Sequence, residues 1–284
     1  MRINHNISAL VTQGSLYKAN RDMGKSIEKL STGLRINRAS DDAAGLAISE
    51  NLRTQIRGVA QAQRNAQDGI AALNVAEGAA NEISDILQRM RELAVQSSNE
   101  TLTDTERSYT NQEFTALIDE IDRIAGVTNY NNQKLISSDS GRFGDAGSDE
   151  GSALWIDANA SRGVDSISVT IDTLTSESLG IESTDYNLNS QTGAVDAISA
   201  LDSAISSVNS MRADIGAFVN RLEHAVNSLV ISETNQTAAE SQIRDVDFAT
   251  ETSNFTRSQI LSQSATGMLA QANMVPQSVL SLLG

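Results

Sequence analysis

From Leu201 the apolar residues advance in alternating steps of four and three: Leu201, Ile205, Val208, Arg212, Ile215, Val219, Leu222, Val226 and Leu229, with Arg212 the one polar member. A mean step of 3.5 lays these side chains along one narrow line of a helix, which calls for a second helix against it. A strand, with its period of two, would scatter them over both faces. A second seam runs to the C-terminus through Leu261, Ala265, Met268, Ala272, Val275, Val279 and Leu282, all apolar. Pro276 lies within it and removes one backbone donor, which predicts a kink. Near the N-terminus Met23, Ile27, Leu30 and Leu34 repeat the spacing.

A third helical pattern spans Ala43 to Ser98, with a stripe of Leu52, Ile56, Val59, Ala66, Ile70, Leu73, Ala76, Ala80, Ile83, Leu87, Met90 and Ala94. Such a helix would be roughly 80 Å long. Gly58, Gly69 and Gly78 interrupt it, each at about 1 kcal/mol relative to alanine, so packing along the stripe must hold it. A further helix begins at Thr103, because Glu106 three residues on completes a capping box. Its apolar face is Phe114, Leu117, Ile118, Ile121 and Ile124.

Residues 137–190 differ. They are rich in Gly, Ser and Asp, and carry ALWI at Ala153 to Ile156 and an alternating run with Ile167, Val169 and Ile171. These read as a small β-hairpin. Ten acidic residues against Arg142 and Arg162 give the segment a strong negative balance, the expectation for a solvated outer tip. The predicted fold is therefore mainly α: a long α-helical coiled-coil rod of N- and C-terminal segments with a small β-hairpin region in the middle. Its divisions are an N-terminal inner helix and linker (1–42), N-terminal rod helices (43–136), the acidic tip (137–190), a C-terminal rod helix (191–235) and a C-terminal inner helix (236–284). The termini meet at the end away from the tip. Their seams have too few neighbours in one chain, which predicts that they wait for other subunits.

Composition narrows the function. The formal charge of −15 over 284 residues argues against nucleic acid and anionic membrane surfaces as partners. No run of 18 apolar residues is present to span a membrane, and the first twenty residues lack the apolar core of a cleaved secretory signal. No cysteine is present, which excludes disulfide and thiolate chemistry. His5 and His224 stand in no metal spacing, and no phosphate-binding or dinucleotide fingerprint occurs. The run DSGRFGDAGSDE, Asp139 to Glu150, lacks the ligand order of a calcium-binding helix–loop–helix. Together these predict no catalysis and no cofactor.

One stretch needs weighing. Asp41 and Asp42 follow Arg35, Asn37 and Arg38; such carboxylates beside arginines could form an acid/base pair, a metal site, a phosphate clamp or a helix start. The helix start is favoured, with Ser40 or Asp41 as N-cap, Asp42 in the first turn, and the basic residues on a connector. The run QRMRELAVQ, Gln88 to Gln96, reads from its residue types as a solvated helix face.

Several runs resemble bacterial flagellins. They are RINHN at Arg2, TGLRIN at Thr32 followed by DDAAGLAIS at Asp41, NAQDGI at Asn65, QRMRELAVQ at Gln88, NRLEHAVNSL at Asn220, TAAESQIRDVDFATE at Thr237 and LAQANMVPQSVLSLLG at Leu269. The likeness covers roughly the first 140 and last 95 residues. It implies a structural subunit that self-polymerises into the flagellar filament, outside the cell, with terminal segments pairing around a central channel. It also implies export unfolded without a cleaved signal peptide, and folding at the distal tip beneath a cap.

Implied partners are further copies of the chain, an export chaperone at about Ala249 to Gly284, the hook–filament junction and cap proteins, and a host innate receptor. The receptor's face in this family matches Arg89, Leu93 and Glu113, which the filament would bury between protofilaments. The family's outer domains are too large for the short middle segment. The chain ends LLG where LLR is common, which sets aside any contact of a terminal arginine. A hook–filament junction protein, with related ends, is the alternative.

Overall fold

The computed structural model describes residues 5–137, 143–144, 152–159, 165–182 and 186–283, the side chains of residues 152 and 276–283 excepted. Among the described residues six helices dominate: α1 Ile7–Thr32, α2 Ala43–Ser97, α3 Asp104–Val127, α4 Ser176–Leu179, α5 Gln191–Arg244 and α6 Phe248–Leu283. The strands are β1 Asn129–Tyr130, β2 Gln133–Lys134, β3 Ser152–Trp155 and β4 Ser166–Val169, paired as two antiparallel hairpins. The mainly α expectation holds, and among the described residues the strands belong to these hairpins. Two compact units divide the chain: residues 1–55 with 234–284, and residues 56–233.

In the first unit α1 runs antiparallel to α6. Asn6 Nδ2 donates to the carbonyl of Ala272 at 2.8 Å, Ser262 Oγ donates to Asn20 Oδ1 at 2.8 Å, and Ser26 Oγ donates to Glu251 Oε1. Asn6 also caps α1 by accepting from the Ala9 N–H. The first turns of α2 join this unit, because Glu50 accepts from Arg244 at 2.8 Å and Arg53 lies 3.3 Å from Glu240. The unit boundaries thus fall inside α2 and α5, the second within two residues of the division read at 235. α5 continues unbroken to Arg244, and the turn at Asp245 to Asp247 starts the last helix. α6 continues through Pro276.

The second unit holds the main core. From α2, Ala66, Leu73, Ala76, Ala80, Ile83, Leu87, Met90 and Ala94 are buried, as the stripe predicts. Against them lie Phe114, Ile118 and Ile121 of α3, whose start has the expected Thr103–Glu106 capping box. In α5 the heptad positions Leu201, Val208, Ile215, Leu222 and Leu229 are buried. Their fully buried companions are Ala204 and Met211, whereas Ile205 and Arg212 are only half-buried. The seam is thus offset by one residue: a straight helix of 3.6 residues per turn brings i+3 as close to the line as i+4.

In the middle segment the described acidic residues Asp172 and Glu177 are exposed, while part of the segment packs inward. The β3–β4 hairpin forms as read, with Ser152 opposite Val169 and Trp155 opposite Ser166. However, Ile167, Val169, Ile171, Leu174, Leu179 and Ile181 are buried in the same core as the α2 and α3 residues, and Asp165 is buried with them. The alternating apolar face draws the hairpin onto the helices despite its charge. Asp139, Arg142, Asp145, Asp149, Glu150, Arg162 and Asp185 lie outside the described residues, as does most of the DSGRFGDAGSDE run.

Two glycines that weaken α2 as a helix let this segment approach. A Cβ on Gly58 would stand 2.5 Å from the Ala158 Cβ, and one on Gly69 would stand 2.5 Å from Leu154 Cδ1. Between them Asn65 Nδ2 donates to the Trp155 carbonyl at 3.2 Å. The β1–β2 hairpin, absent from the sequence reading, turns on Asn131 and Asn132, both at positive φ. Asparagine tolerates that region, which suits a two-residue hairpin turn.

Candidate assembly interface and linker

The linker between α1 and α2 is built by its carboxylates. Asp42 Oδ1 accepts from the Gly45 N–H at 2.9 Å and the Asp42 carbonyl accepts from Leu46 N–H at 3.0 Å, so Asp42 is the N-cap. This moves the cap one residue beyond the expected Ser40 or Asp41. Asp41 instead folds the preceding turn, where its Oδ2 accepts from the Arg38 N–H at 3.1 Å and the Asn37 N–H at 3.3 Å. The Arg38 N–H, chiefly, holds the Asp41 carboxyl below the usual carboxylate range. A carboxylate that accepts backbone donors and stays ionised is poorly suited to act as a general acid. Among the described residues no group of three or more His, Asp or Glu could hold a metal ion.

The basic and amide residues complete the joint. Arg35 donates through Nε and Nη2 to the Ile243 carbonyl, at 3.1 and 2.6 Å, and its N–H bonds the Arg244 carbonyl at 2.6 Å. The Val246 N–H returns a bond to the Gly33 carbonyl at 3.0 Å. Arg38 pairs with Glu28 at 2.9 Å, and Asn37 Nδ2 donates to the Leu34 carbonyl at 3.1 Å. The two linkers of the chain are therefore stitched to each other. Asp247 starts α6 by accepting from the N–H groups of Ala249 and Thr250 and from the Thr250 hydroxyl. The hydroxyl first, then those backbone donors, lowers its carboxyl below the usual range. Ile36 is buried beneath the joint.

The terminal seams divide when α1 meets α6. Ala19 and Ser26 of α1 are buried, Met23, Leu30 and Leu34 are half-buried, and Ile27 is exposed. On α6, Ala265 and Ala272 are half-buried while Leu261, Met268 and Val275 are exposed. Val279 and Leu282 belong to α6, but their side chains are outside the described residues. The seam read as one line is thus two: small residues bring the helices together, and the large apolar ones face outward. Ile7, Leu10, Val11, Tyr17 and Ile260 add to the exposed set. An open groove of about 480 Å³ runs along the pair, lined by Val11, Ala19, Leu261, Ala265 and Met268 with Lys18 and Asp22 beside them. So much large apolar surface on one helix pair marks an interaction site.

The triplet drawn from the resemblance is not one surface. Arg89 donates to Glu113 Oε1 at 3.0 and 2.8 Å and to Glu92 at 3.1 Å, on the exposed side of α2 and α3. Leu93 is 2% exposed and belongs to the core. No local pattern warns of this, because Leu93 sits four residues from Arg89 and shares its helix face until the core formed with Phe114 encloses it. Sequence reasoning also missed Ile36, Asp247 and the Ser26–Glu251 contact; an Asp directly before an apolar run, as in VDFATE, was an available N-cap signal.

Among the described residues no helix is long and apolar enough to cross a membrane. Residues 3–140 match the family model for the bacterial flagellin N-terminal helical region, and residues 198–283 match that for the bacterial flagellin C-terminal helical region. The chain is 44% identical over 289 residues to the flagellin FlaB2 of Treponema pallidum and 47% identical over 292 residues to a flagellin of Halalkalibacterium halodurans, covering 100% of both partners in each case. A solved structure of a flagellar hook-associated protein from Vibrio parahaemolyticus overlaps 72% of this chain and 100% of its own, with a TM-score of 0.58 at 19% identity, a likeness of fold alone. With both helical regions matched and full-length relatives at this identity, the chain belongs to the bacterial flagellin family.

Proposed function

We infer that this chain is a structural subunit that polymerises into the bacterial flagellar filament. The observation that carries the reading is the α1–α6 pair, which closes through Ala and Ser and leaves Leu261, Met268 and Val275 outward on a helix matched by the flagellin C-terminal model. Covering ~1,000 Å² of such surface supplies on the order of 25 kcal/mol before ordering costs, and those costs are large when termini order on binding. The subunit works by packing, without catalysis or cofactor.

The reading extends to the route and the partners. The subunit leaves the cell unfolded through the flagellar export apparatus, is escorted by a chaperone on Ala249 to Gly284, and folds at the distal tip between the hook–filament junction and the cap protein. Arg89 and Glu113 form a polar face that is read by a host innate receptor on the free subunit and covered between protofilaments. Seeded growth tests the central claim. Purified chain added to short filament seeds elongates them without limit, and a chain truncated before Leu261 does not. A fixed small stoichiometry on the seeds would instead identify a junction protein.

A further inference from the structure

The chain has six methionines and no cysteine, so methionine carries all of its sulfur chemistry. The structure sorts these side chains sharply. Met90 and Met211 are 0% and 2% exposed in the core of the second unit, whereas Met268 and Met274 are 63% and 59% exposed on α6. Met268 also lines the groove with Val11, Leu261 and Ala265, and Met274 adjoins the exposed Val275. Among the described methionines the two most exposed therefore both lie on α6, Met268 in the open groove and Met274 beside Val275.

We propose that Met268 and Met274 are oxidation sites at which a peroxide-class oxidant switches off the assembly competence of the free subunit. The assembly half of this rests on the filament reading above; the site itself does not. In the reaction a sulfur lone pair attacks one peroxide oxygen, forming the S–O bond as the O–O bond breaks. The departing hydroxide takes the proton from the new S–OH group and leaves as water, so the sulfur gives up two electrons and the peroxide accepts them. The sulfoxide is uncharged but polar and a strong hydrogen-bond acceptor. Docking then has to strip water from that acceptor, a cost the thioether does not carry, which opposes association. Once neighbouring copies cover the face, the sulfurs are closed to oxidant, so the free subunit is the target and the finished polymer is spared.

The test uses the full chain and hydrogen peroxide. Peptide mapping by mass spectrometry is expected to find sulfoxide at Met268 and Met274 forming at least about tenfold faster than at Met90 and Met211, following exposure. Equal rates at all four overturn the site. Oxidised chain is then expected to extend filament seeds at least about tenfold more slowly, with speed restored by methionine sulfoxide reductases. A Met268→Leu, Met274→Leu double variant is expected to keep extending after peroxide. Oxidised wild-type chain that grows as fast as untreated chain overturns the switch. Untreated chain that fails to extend seeds overturns the filament reading and the switch with it, and the mapping result then decides the site alone.

Discussion

Ser26 and Glu251, 225 residues apart in the chain, share a buried hydrogen bond across the α1–α6 contact, and Lys29 Nζ stands 3.9 Å from the other carboxylate oxygen. Around them the half-buried Met23 and Leu30 are apolar and place no directional demand on the register. A buried polar contact is satisfied in only one register, so this one aligns α1 on α6. Ser26→Ala is expected to cost roughly 1–3 kcal/mol, since it strands an acceptor rather than removing a methylene. A double-mutant cycle with Glu251→Ala, read from thermal melts by circular dichroism, is expected to give a coupling well above experimental error. Strictly additive losses would remove the register role.

How much of this was legible in the sequence depended on the range of the forces involved. The α2 stripe, the Thr103–Glu106 capping box and the β3–β4 hairpin are local patterns, and each was readable. The Arg35 bonds to the Ile243 and Arg244 carbonyls were not, because the side chain offers donors to any carbonyl and only the fold chooses one. Gly58 and Gly69 read as helix defects because the residues they admit, Ala158 and Leu154, lie 100 and 85 positions onward. Leu93 and Arg89 looked like one face because the covering helix α3 enters no local pattern. Periodicity finds the apolar side of a helix, and tertiary packing decides which part of that side remains open.

The linkers should respond to acid. Asp41 and Asp247 both have folded-state carboxyls held below their ordinary value by bonds that require the ionised form. Such groups contribute stability above the unfolded carboxylate value, about 3.9 for Asp, and lose it as pH falls through the lower folded value. Helicity of the wild-type chain is therefore expected to decline below about pH 4 with a steeper acid slope than that of an Asp41→Asn, Asp247→Asn double variant. Superimposable acid titrations by circular dichroism would show that other groups dominate.

Two of the glycines of α2 allow an internal comparison. Both changes to Ala gain helix propensity of about 1 kcal/mol. Gly78 has nothing within 4 Å of an added Cβ, so Gly78→Ala is expected to stabilise the chain by most of that gain. At Gly58 the Cβ would meet Ala158 at 2.5 Å and its backbone at 3.0 Å, where nothing flexible can yield. Overpacking of that kind costs roughly 1–3 kcal/mol, so Gly58→Ala is expected to be neutral to destabilising. Chemical denaturation of the two variants gives the ordering, and an equal gain in both would mean that residues 157–159 do not hold α2 this closely in solution.

Arg89 and Leu93 should separate when mutated singly. Arg89 pairs with Glu113 and Glu92 through half-exposed side chains, where solvent screening leaves ion pairs little net effect on stability. Arg89→Ala is accordingly expected to leave stability nearly unchanged. Leu93 is enclosed in the core with Phe114, and Leu93→Ala is expected to cost roughly 2–5 kcal/mol through lost burial and the cavity left behind. A receptor assay on the free subunit must therefore be read with Arg89→Ala and Glu113→Ala, since a loss of signalling in Leu93→Ala would report damage to the fold. Denaturant midpoints within experimental error of each other for Arg89→Ala and Leu93→Ala would overturn this division and return Leu93 to the surface alongside Arg89.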